Sequence, residues 1–310
     1  MSTALIVGAT GFVGSHLARR LVQDGLDVHV LCRASSDFRR LHDILPRLRA
    51  HAVDMSDAAA LAGVVRAIRP AQIFHLASAT VVAGATPGPK DLVDGNVLAT
   101  VNLIDACADI DYRCLLTIGD SFEYSPSAHP LAETDPCRPT SLHGITKLAA
   151  TLYAGAAARS KNRPIVTLRL FSTFGPGDNP RRLVPRVVAG ALAGTPLLLS
   201  RPEIARDWIY IDDLIALLLE AGREAARLKG EVLNAGTGRN AALAEIVDIV
   251  LRLSASRAEV RWGVFPAPEH DAHPWIADMR HTFAMLGWRP RVALEDGLGR
   301  TIAAARAAPP

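Results

Sequence analysis

Three glycines near the amino terminus restrict what this chain can fold into more than any other feature. Ala4–Val7 is a short apolar run, as expected of a strand buried on both faces. Gly8, Gly11 and Gly14 follow it as GxxGxxG, and Ser15–Asp24 then has a helical pattern. A strand, a glycine loop and a helix in this order predict a loop that approaches a bound group closely.

Each glycine has a distinct task if that group is a dinucleotide. Gly8 permits the tight turn, Gly11 lets the backbone approach a pyrophosphate, and Gly14 lets the helix pack closely on the strand. The free N–H groups and the positive dipole end of the helix then bind the phosphates. The other loop residues expected to contact the cofactor are Thr10, Phe12 and Val13. A plain strand-to-helix turn without a ligand is the alternative interpretation.

The rest of the chain alternates between strand and helix patterns. Further strand candidates are Asp27–Cys32, Arg49–Val53, Gln72–Leu76, Cys114–Ile118, Ile165–Leu170 and Val232–Ala235. Helix candidates include Ala58–Ile68, Asp94–Ala108, His143–Ala158 and Leu243–Leu253. This alternation predicts an α/β fold, a Rossmann-type doubly wound parallel sheet with a smaller C-terminal α/β substrate lobe. We expect the dinucleotide-binding domain at 1–172, with a return at 208–234, and the substrate lobe at 173–207 and 235–305.

Composition and charge exclude several classes of protein. A formal charge of +3 over 310 residues, with the basic residues spread out, gives no reason to expect a nucleic-acid partner. Apolar runs are shorter than the roughly 18 residues of a membrane-spanning helix, so no membrane partner is predicted. The four cysteines lie far apart without a CxxC pair. That spacing argues against a disulfide framework and favours a reduced, cytoplasmic protein.

The end of the second strand determines which dinucleotide such a loop accepts. An acid there selects NAD, whereas an arginine accommodates the 2′-phosphate of NADP. Here the strand ends at Arg33, and Ser36, Arg39 and Arg40 follow. Guanidinium and hydroxyl groups suit a phosphate. The sequence therefore favours NADP over NAD, with a solvated basic loop as the alternative.

Several motifs in a fixed order resemble those of the extended short-chain dehydrogenase/reductases, in particular nucleotide-sugar epimerases, dehydratases and 4-ketoreductases. These motifs are Asp54-Met55, His75–Ser78, Asn96–Leu103, Arg169–Pro176, Arg206–Asp213, Asn234–Gly238 and Leu286–Pro290. The resemblance covers nearly the whole chain. It implies a homodimer paired through helices 94–108 and 143–158. The cofactor contacts that it implies are Asp54, Met55, Leu76, Ala77, Ser78, Asn96, Lys147 and Phe171.

The resemblance also implies a catalytic Ser or Thr, a Tyr, and a Lys four residues later, and this chain departs from that set. Lys147 is present, but His143 stands at the Tyr position, and Asp120, followed by Ser121, stands at the hydroxyl position. Residues four apart share a helix face, so His143 and Lys147 can point together. Imidazole exchanges protons near neutrality. We therefore predict that Asp120 orients His143 as the acid/base; loss of catalysis is the alternative.

Arginines suit the diphosphate of a nucleotide sugar. Arg206 and Arg182 are the candidates; an ion pair with Asp207 is the less favoured alternative for Arg206. Either His270 or His273 stands where the resemblance implies another arginine. The other predicted substrate contacts are Tyr124, Ser172 and His273. The histidines and acids of this segment fit no standard metal spacing, so no metal is predicted.

These features together predict an NAD(P)-dependent enzyme acting at C4 of a nucleotide-activated sugar. A 4-ketoreductase is favoured because Arg33 suits NADP, and a 4-epimerase that retains NAD is the alternative. A C5–C6 dehydratase is disfavoured, because the resemblance implies an Asp-Glu pair where this chain has Ser121-Phe122. A catalytically silent dinucleotide-binding scaffold or sensor is the alternative of another class.

Overall fold

The computed structural model of the chain describes residues 2–80, 87–266 and 273–307. The strands in these ranges are β1 (Thr3–Val7), β2 (Asp27–Cys32), β3 (Leu48–Ala52), β4 (Gln72–His75), β5 (Cys114–Asp120), β6 (Ile165–Leu170), β7 (Ser172–Phe174), β8 (Leu197–Leu198), β9 (Ala205–Tyr210), β10 (Val232–Ala235), β11 (Asn240–Ala242) and β12 (Val260–Arg261). The α-helices are α1 (Phe12–Gln23), α2 (Ala58–Ile68), α3 (Pro89–Leu92), α4 (Ala99–Ala106), α5 (Leu142–Ser160), α6 (Leu183–Ala193), α7 (Ile211–Arg223), α8 (Leu243–Ser254), α9 (Arg280–Leu286) and α10 (Leu294–Ala307). A π-helical segment, Val93–Leu98, joins α3 to α4.

The large sheet contains seven of these strands, all parallel, in the order β3-β2-β1-β4-β5-β6-β10. The chain runs outward from β1 to β3 and then crosses back to β4 on the other side of β1. Ligands of such sheets bind at the carboxyl ends of the strands, near this reversal. The predicted Rossmann-type doubly wound sheet is therefore confirmed.

Alternate residues of the buried strand β1 enter two separate cores. Ala4 and Ile6 pack in the core that α1 and α7 cover, whereas Leu5 and Val7 pack in the core that α2, α4 and α5 cover. All four side chains are at most 2% exposed. Burial on both faces explains why this strand is a continuous apolar run rather than an alternating one.

The later part of the chain contributes smaller sheets and a helical layer. Strands β7, β9 and β11 form a three-stranded sheet, and β8 pairs with β12. Helices α6, α8 and α10 pack against one another beside them. Strand β10 returns to the large sheet, within the segment 208–234 where a return is expected. The domain boundaries themselves remain a prediction.

Candidate active site at the carboxyl edge of the large sheet

The glycine loop after β1 packs so closely on neighbouring backbone that Gly8 and Gly14 leave no room for a Cβ. Gly8 has a φ of +91°, in the region that favours glycine. A Cβ at Gly8 would lie 2.6 Å from the backbone nitrogen of Ala77, and one at Gly14 would lie 2.1 Å from the Gly8 carbonyl oxygen. Helix α1 begins at Phe12 without a side-chain cap on Gly11. Its first N–H groups are therefore available to an anion.

The segment after β4 lies against this loop and carries Leu76, Ala77 and Ser78. Asn96 of the π-helical segment holds it in place. Its Oδ1 accepts hydrogen bonds from Ser78 Oγ and Ala79 N, both at 2.8 Å. Its Nδ2 donates to the carbonyl oxygen of Ala79 and to Thr146 Oγ1. Asn96 is 2% exposed and its amide is fully engaged. The amide of Asn96 therefore supports this segment, and its contact with the cofactor stays a prediction.

Three predicted cofactor residues lie at the ends of β2 and β3. Asp54 is exposed and accepts two hydrogen bonds from Ser56, which together with the nearby Arg33 cation lower the pKa of its carboxyl group. The carbonyl oxygen of Met55 accepts a hydrogen bond from Asn102 at 2.8 Å. The guanidinium of Arg33 is exposed at the end of β2. Asp54 and Arg33 are thus both accessible from solvent at this end of the cleft.

The loop that follows Arg33 is only partly available for a phosphate. Ser36 Oγ accepts a hydrogen bond from the Arg33 backbone at 2.9 Å. Arg39 pairs with Asp37 at 3.3 Å. Arg40 donates through Nε to the carbonyl oxygen of Gly177, 2.8 Å away. Arg39 and Arg40 therefore have protein partners, which leaves Arg33 as the better candidate for a 2′-phosphate.

The centre of the site lies where α5 packs on the end of β5. His143 Nε2 is 3.4 Å from Asp120 Oδ2, and His143 Nδ1 is 3.2 Å from the carbonyl oxygen of Ala79. One turn along α5, Lys147 donates through Nζ to the carbonyl oxygen of Ile118. His143 and Lys147 are 7% and 5% exposed. The structure therefore brings together the three charged residues that the sequence singles out.

The electrostatics of this centre favour an ionised carboxylate. Burial raises the pKa of Asp120, but the hydrogen bond and charge of His143, the Phe122 N–H and Lys147 lower it to below its ordinary value. Burial also lowers the pKa of Lys147, against the opposing effects of Glu123 and Asp120. Both partners of His143 are acceptors, so only the doubly protonated ring donates to both.

A second layer of charge lies beneath the centre, and the sequence reasoning missed it. Glu123 and Arg169 form an ion pair of 2.7 Å and are 0% and 4% exposed. Glu123 Oε1 also accepts hydrogen bonds from the Asp120 backbone N–H and from Thr151 Oγ1 of α5. The sequence carries one sign of this layer, the glycine at position 119 before Asp120. In the structure, a Cβ at Gly119 would lie 2.6 Å from Glu123 Oε1.

Two predicted contacts lie in a small core beside the cleft. Tyr124 has no exposed surface, and its hydroxyl donates to Asn234 Oδ1 at 2.7 Å. Burial and this bond occupy the polar atom of Tyr124, and its contact with the substrate stays a prediction. Phe171 is 5% exposed in the same core. Ser121 is buried in the turn after β5, and Ser172 is partly exposed at the start of β7.

Arg206, one of the two predicted diphosphate contacts, lies near the turn that follows β5. The guanidinium carbon of Arg206 lies 5.7 Å from the ring centre of Phe122, which is in the turn that follows Asp120. Asp207 is fully buried, and its carboxylate accepts hydrogen bonds from the backbone of Thr237 and other residues. These bonds occupy the carboxylate that an Arg206–Asp207 ion pair would need.

The remaining predicted substrate residues lie at the surface. Arg182 is exposed at the start of α6, and His273 is exposed where the described chain resumes. His270 lies outside the described residues. Across the described ranges, no cluster of three or more His, Cys, Asp or Glu side chains is placed to hold a metal. No helix in those same ranges is long and apolar enough to cross a membrane.

Comparisons with known proteins identify the family of this chain. The NAD dependent epimerase/dehydratase family matches residues 4–236. A UDP-glucose 4-epimerase of Mycolicibacterium smegmatis is 28% identical over 96% of both chains. A probable UDP-glucuronate 4-epimerase of Rhizobium meliloti is 26% identical over 96% of this chain and 95% of its own. The structure of MoeE5 in complex with UDP-glucose and NAD is 30% identical, with a TM-score of 0.86 over 98% of this chain and 99% of that one. The match over most of the chain establishes that this protein belongs to the NAD dependent epimerase/dehydratase family.

Proposed function

We propose that the protein moves a hydride between a nicotinamide dinucleotide and C4 of a nucleotide-linked sugar, and that His143 exchanges the accompanying proton. One observation carries the proposal. His143 lies between Asp120 and the segment after β4, one turn from Lys147, and that segment in turn contacts the glycine loop. Relatives named as epimerases of UDP-glucose and UDP-glucuronate support the substrate class.

The glycine loop fits the cofactor that the family implies. Gly8 and Gly14 let the loop pack directly on neighbouring backbone, and the uncapped start of α1 suits a pyrophosphate. When bound, the dinucleotide supplies or accepts the hydride. The NAD in the MoeE5 structure supports NAD as the cofactor. NADP is the second candidate, because the exposed Arg33 guanidinium suits a 2′-phosphate.

The proton chemistry follows from the two partners of His143. Its Nδ1 faces the Ala79 carbonyl oxygen, so Nε2 is the nitrogen available for proton exchange. The 3.4 Å between Nε2 and Asp120 is long for a hydrogen bond, which allows a sugar oxygen to approach Nε2. The imidazolium donates its proton to the C4 oxygen during reduction, and the neutral ring accepts a hydroxyl proton during oxidation. Lys147 supplies a cation one turn away.

Two forms of this chemistry have separate support. The names of the relatives support 4-epimerisation, in which the cofactor is retained through oxidation and reduction. The two acceptors around His143 suit a ring that begins doubly protonated, as the 4-ketoreduction favoured by the sequence requires. We place epimerisation first. Protein that is purified with NAD(H) retained and that interconverts C4 epimers supports it, whereas consumption of NADPH with a 4-keto sugar supports the reductase.

The proposal is tested by replacing the proton carrier. Wild-type protein is incubated with NAD and UDP-glucose or UDP-glucuronate, or with NADPH and a 4-keto derivative, and the product is followed by proton NMR. His143→Phe is expected to lower turnover by about 100- to 10,000-fold while dinucleotide binding is retained. Unchanged turnover would contradict the role of His143. Dinucleotide binding without turnover of any of these sugars would instead support the silent scaffold or sensor.

We also propose that two copies pair through α5 and the helical stretch formed by Val93–Leu98 and α4, which packs beside it. Leu142, Ile145 and Leu152 lie on one face of α5 and are 55%, 49% and 60% exposed, with Leu98 beside them at 43%. Exposed apolar residues on one face mark an interaction surface. A dimer mass by sedimentation, reduced to a monomer by Leu152→Glu, is the expected result. A monomeric wild-type protein would contradict the pairing.

A further inference from the structure

Once in each helical turn, the inner face of α5 contacts β5 or the short turn that follows it. His143 contacts Asp120, and Lys147 donates to the backbone of β5. Thr151, one turn further on, donates to Glu123 Oε1 at 2.9 Å. Residues at positions i, i+4 and i+8 share a helix face, so the three contacts form one continuous stripe. The stripe runs from the proposed acid/base to a fully buried carboxylate.

Glu123 accepts hydrogen bonds from three elements, β5, α5 and β6. Its Oε1 accepts from the Asp120 backbone N–H at 2.9 Å and from Thr151 of α5. Its Oε2 accepts from Arg169 Nε of β6 at 2.7 Å. A buried carboxylate that accepts three hydrogen bonds has most of its desolvation cost offset. The chain also leaves space for it, since any Cβ at Gly119 would collide with Oε1.

Glu123 is one of two carboxylates that face two cations in this cluster. Lys147 and Arg169 are the buried cations, and Asp120 and Glu123 are the carboxylates. Without Glu123, the two cations would share one carboxylate in a region of low dielectric, which is costly. Glu123 therefore has a role beyond packing.

We infer that Glu123 is the positioning residue of the Asp120–His143–Lys147 centre, because it accepts hydrogen bonds from both Asp120 and α5 and so fixes one against the other. The inference rests on the proposed C4 chemistry, because it assigns a role to a residue beneath that same site. Glu123 has no exposed surface. It therefore acts through Asp120 and Lys147 rather than on a substrate.

The groups around Lys147 determine the direction of the expected pH effect. Glu123 and Asp120 raise the pKa of Lys147, whereas burial lowers it. His75 of β4 has a pKa lowered to about 3 by burial and by Lys147, so it is neutral and adds no charge. Arg169 of β6 and His143 of α5 add no negative charge. Removal of the Glu123 charge therefore lowers the pKa of Lys147, and the ammonium loses its proton at a lower pH.

The first test measures turnover against pH for Glu123→Gln, which keeps the shape of the side chain and removes its charge. The alkaline limb of kcat is expected to move to lower pH, and kcat to fall by about tenfold or more with little change in KM. The matched control is Glu133→Gln, because Glu133 accepts hydrogen bonds from Asn234 and Thr282 outside the stripe. An alkaline limb that is unchanged, or moved equally in the control, would overturn the inference.

A second test does not depend on turnover, so it separates this inference from the proposed function. The sequence contains four lysines, which makes NMR of protein labelled at lysine Cε tractable. Lys147 is assigned by its loss in Lys147→Arg, and its titration is followed directly. Titration at a lower pH in Glu123→Gln supports the inference even if no sugar is turned over, and unchanged titration overturns it.

Glu123→Gln alone leaves the buried Arg169 without its carboxylate partner, which is costly. The double variant Glu123→Gln/Arg169→Gln removes one charge of each sign. Because loss of the Arg169 cation raises the pKa of Lys147 and loss of the Glu123 carboxylate lowers it, the double variant is compared with Arg169→Gln rather than with the wild type. Lys147 is expected to titrate at a lower pH in the folded double variant than in Arg169→Gln, and equal titration in the two would contradict the charge role of Glu123.

Discussion

The glycine loop and the Asp120–His143–Lys147 centre lie at the same edge of the sheet but are built in opposite ways. At the loop, backbone meets backbone, and a Cβ at Gly14 would approach the Gly8 carbonyl oxygen to 2.1 Å. At the centre, titratable side chains contact one another, from His143 and Asp120 to Glu123 and Arg169. Gly8 and Gly14 therefore tolerate no added atom, whereas the centre can exchange one residue type for another if charges and hydrogen bonds stay matched.

The largest expected effect is at the loop. Gly14→Ala is expected to abolish dinucleotide binding, or folding itself, because the backbone of Gly8 cannot move aside without losing the turn. The matched control is Gly63→Ala on the exposed face of α2, where a Cβ meets nothing within 4 Å. That control is expected to stabilise the protein by about 0.5–1 kcal/mol. Thermal unfolding and NADH fluorescence measure both; normal binding by Gly14→Ala would contradict the geometry of the loop.

A smaller effect is expected at the centre. Asp120→Asn keeps the shape of the side chain but removes the charge that faces His143, and turnover is expected to fall by about 100-fold with cofactor binding unchanged. The pKa of Asp120 lies below its ordinary value, so its carboxylate stays ionised as the pH falls into the range where free aspartates begin to protonate. An acid limb above that range thus belongs to another group and persists in Asp120→Asn. Its disappearance would contradict this assignment.

The smallest expected effect concerns the choice of cofactor. If Arg33 contacts a 2′-phosphate, Arg33→Ala weakens NADP binding by about tenfold or more and leaves NAD binding nearly unchanged. Titration calorimetry with both dinucleotides gives the ratio. Equal losses for NAD and NADP would show that Arg33 does not discriminate between them.

The fold was predictable from the sequence because its signals are local. The run Ala4–Val7 and the glycines after it specify a buried strand and a turn, and several elements, such as Ile165–Leu170, have the predicted bounds. The common orientation of His143 and Lys147 on α5 was also predictable, because residues four apart share a helix face. The π-helical segment was not, because Asn96 within it bonds the segment after β4, which is distant in sequence.

The second layer of the site depends on contacts between distant parts of the chain. Glu123 pairs with Arg169 across 46 positions, and Tyr124 bonds Asn234 across 110. No sequence periodicity predicts such pairs, so the bond of Tyr124 to Asn234 was not expected. The bond from Arg40 to the carbonyl oxygen of Gly177, far along the chain, was not expected either. Local patterns therefore predicted that Asp120, His143 and Lys147 lie together, but not which residues support them.

Hydride exchange between the cofactor and C4 is tested most directly by isotope transfer. A nucleotide sugar carrying deuterium at C4 is incubated with the protein and NAD, the reaction is quenched during turnover, and the reduced nicotinamide is examined by mass spectrometry, because an epimerase returns the label to the sugar at the end of each turnover. Deuterium is expected in the reduced nicotinamide of the wild type and to be nearly absent from it in His143→Phe. Conversion of the sugar by the wild type with no deuterium in the reduced nicotinamide at any time of quenching would contradict hydride exchange at C4.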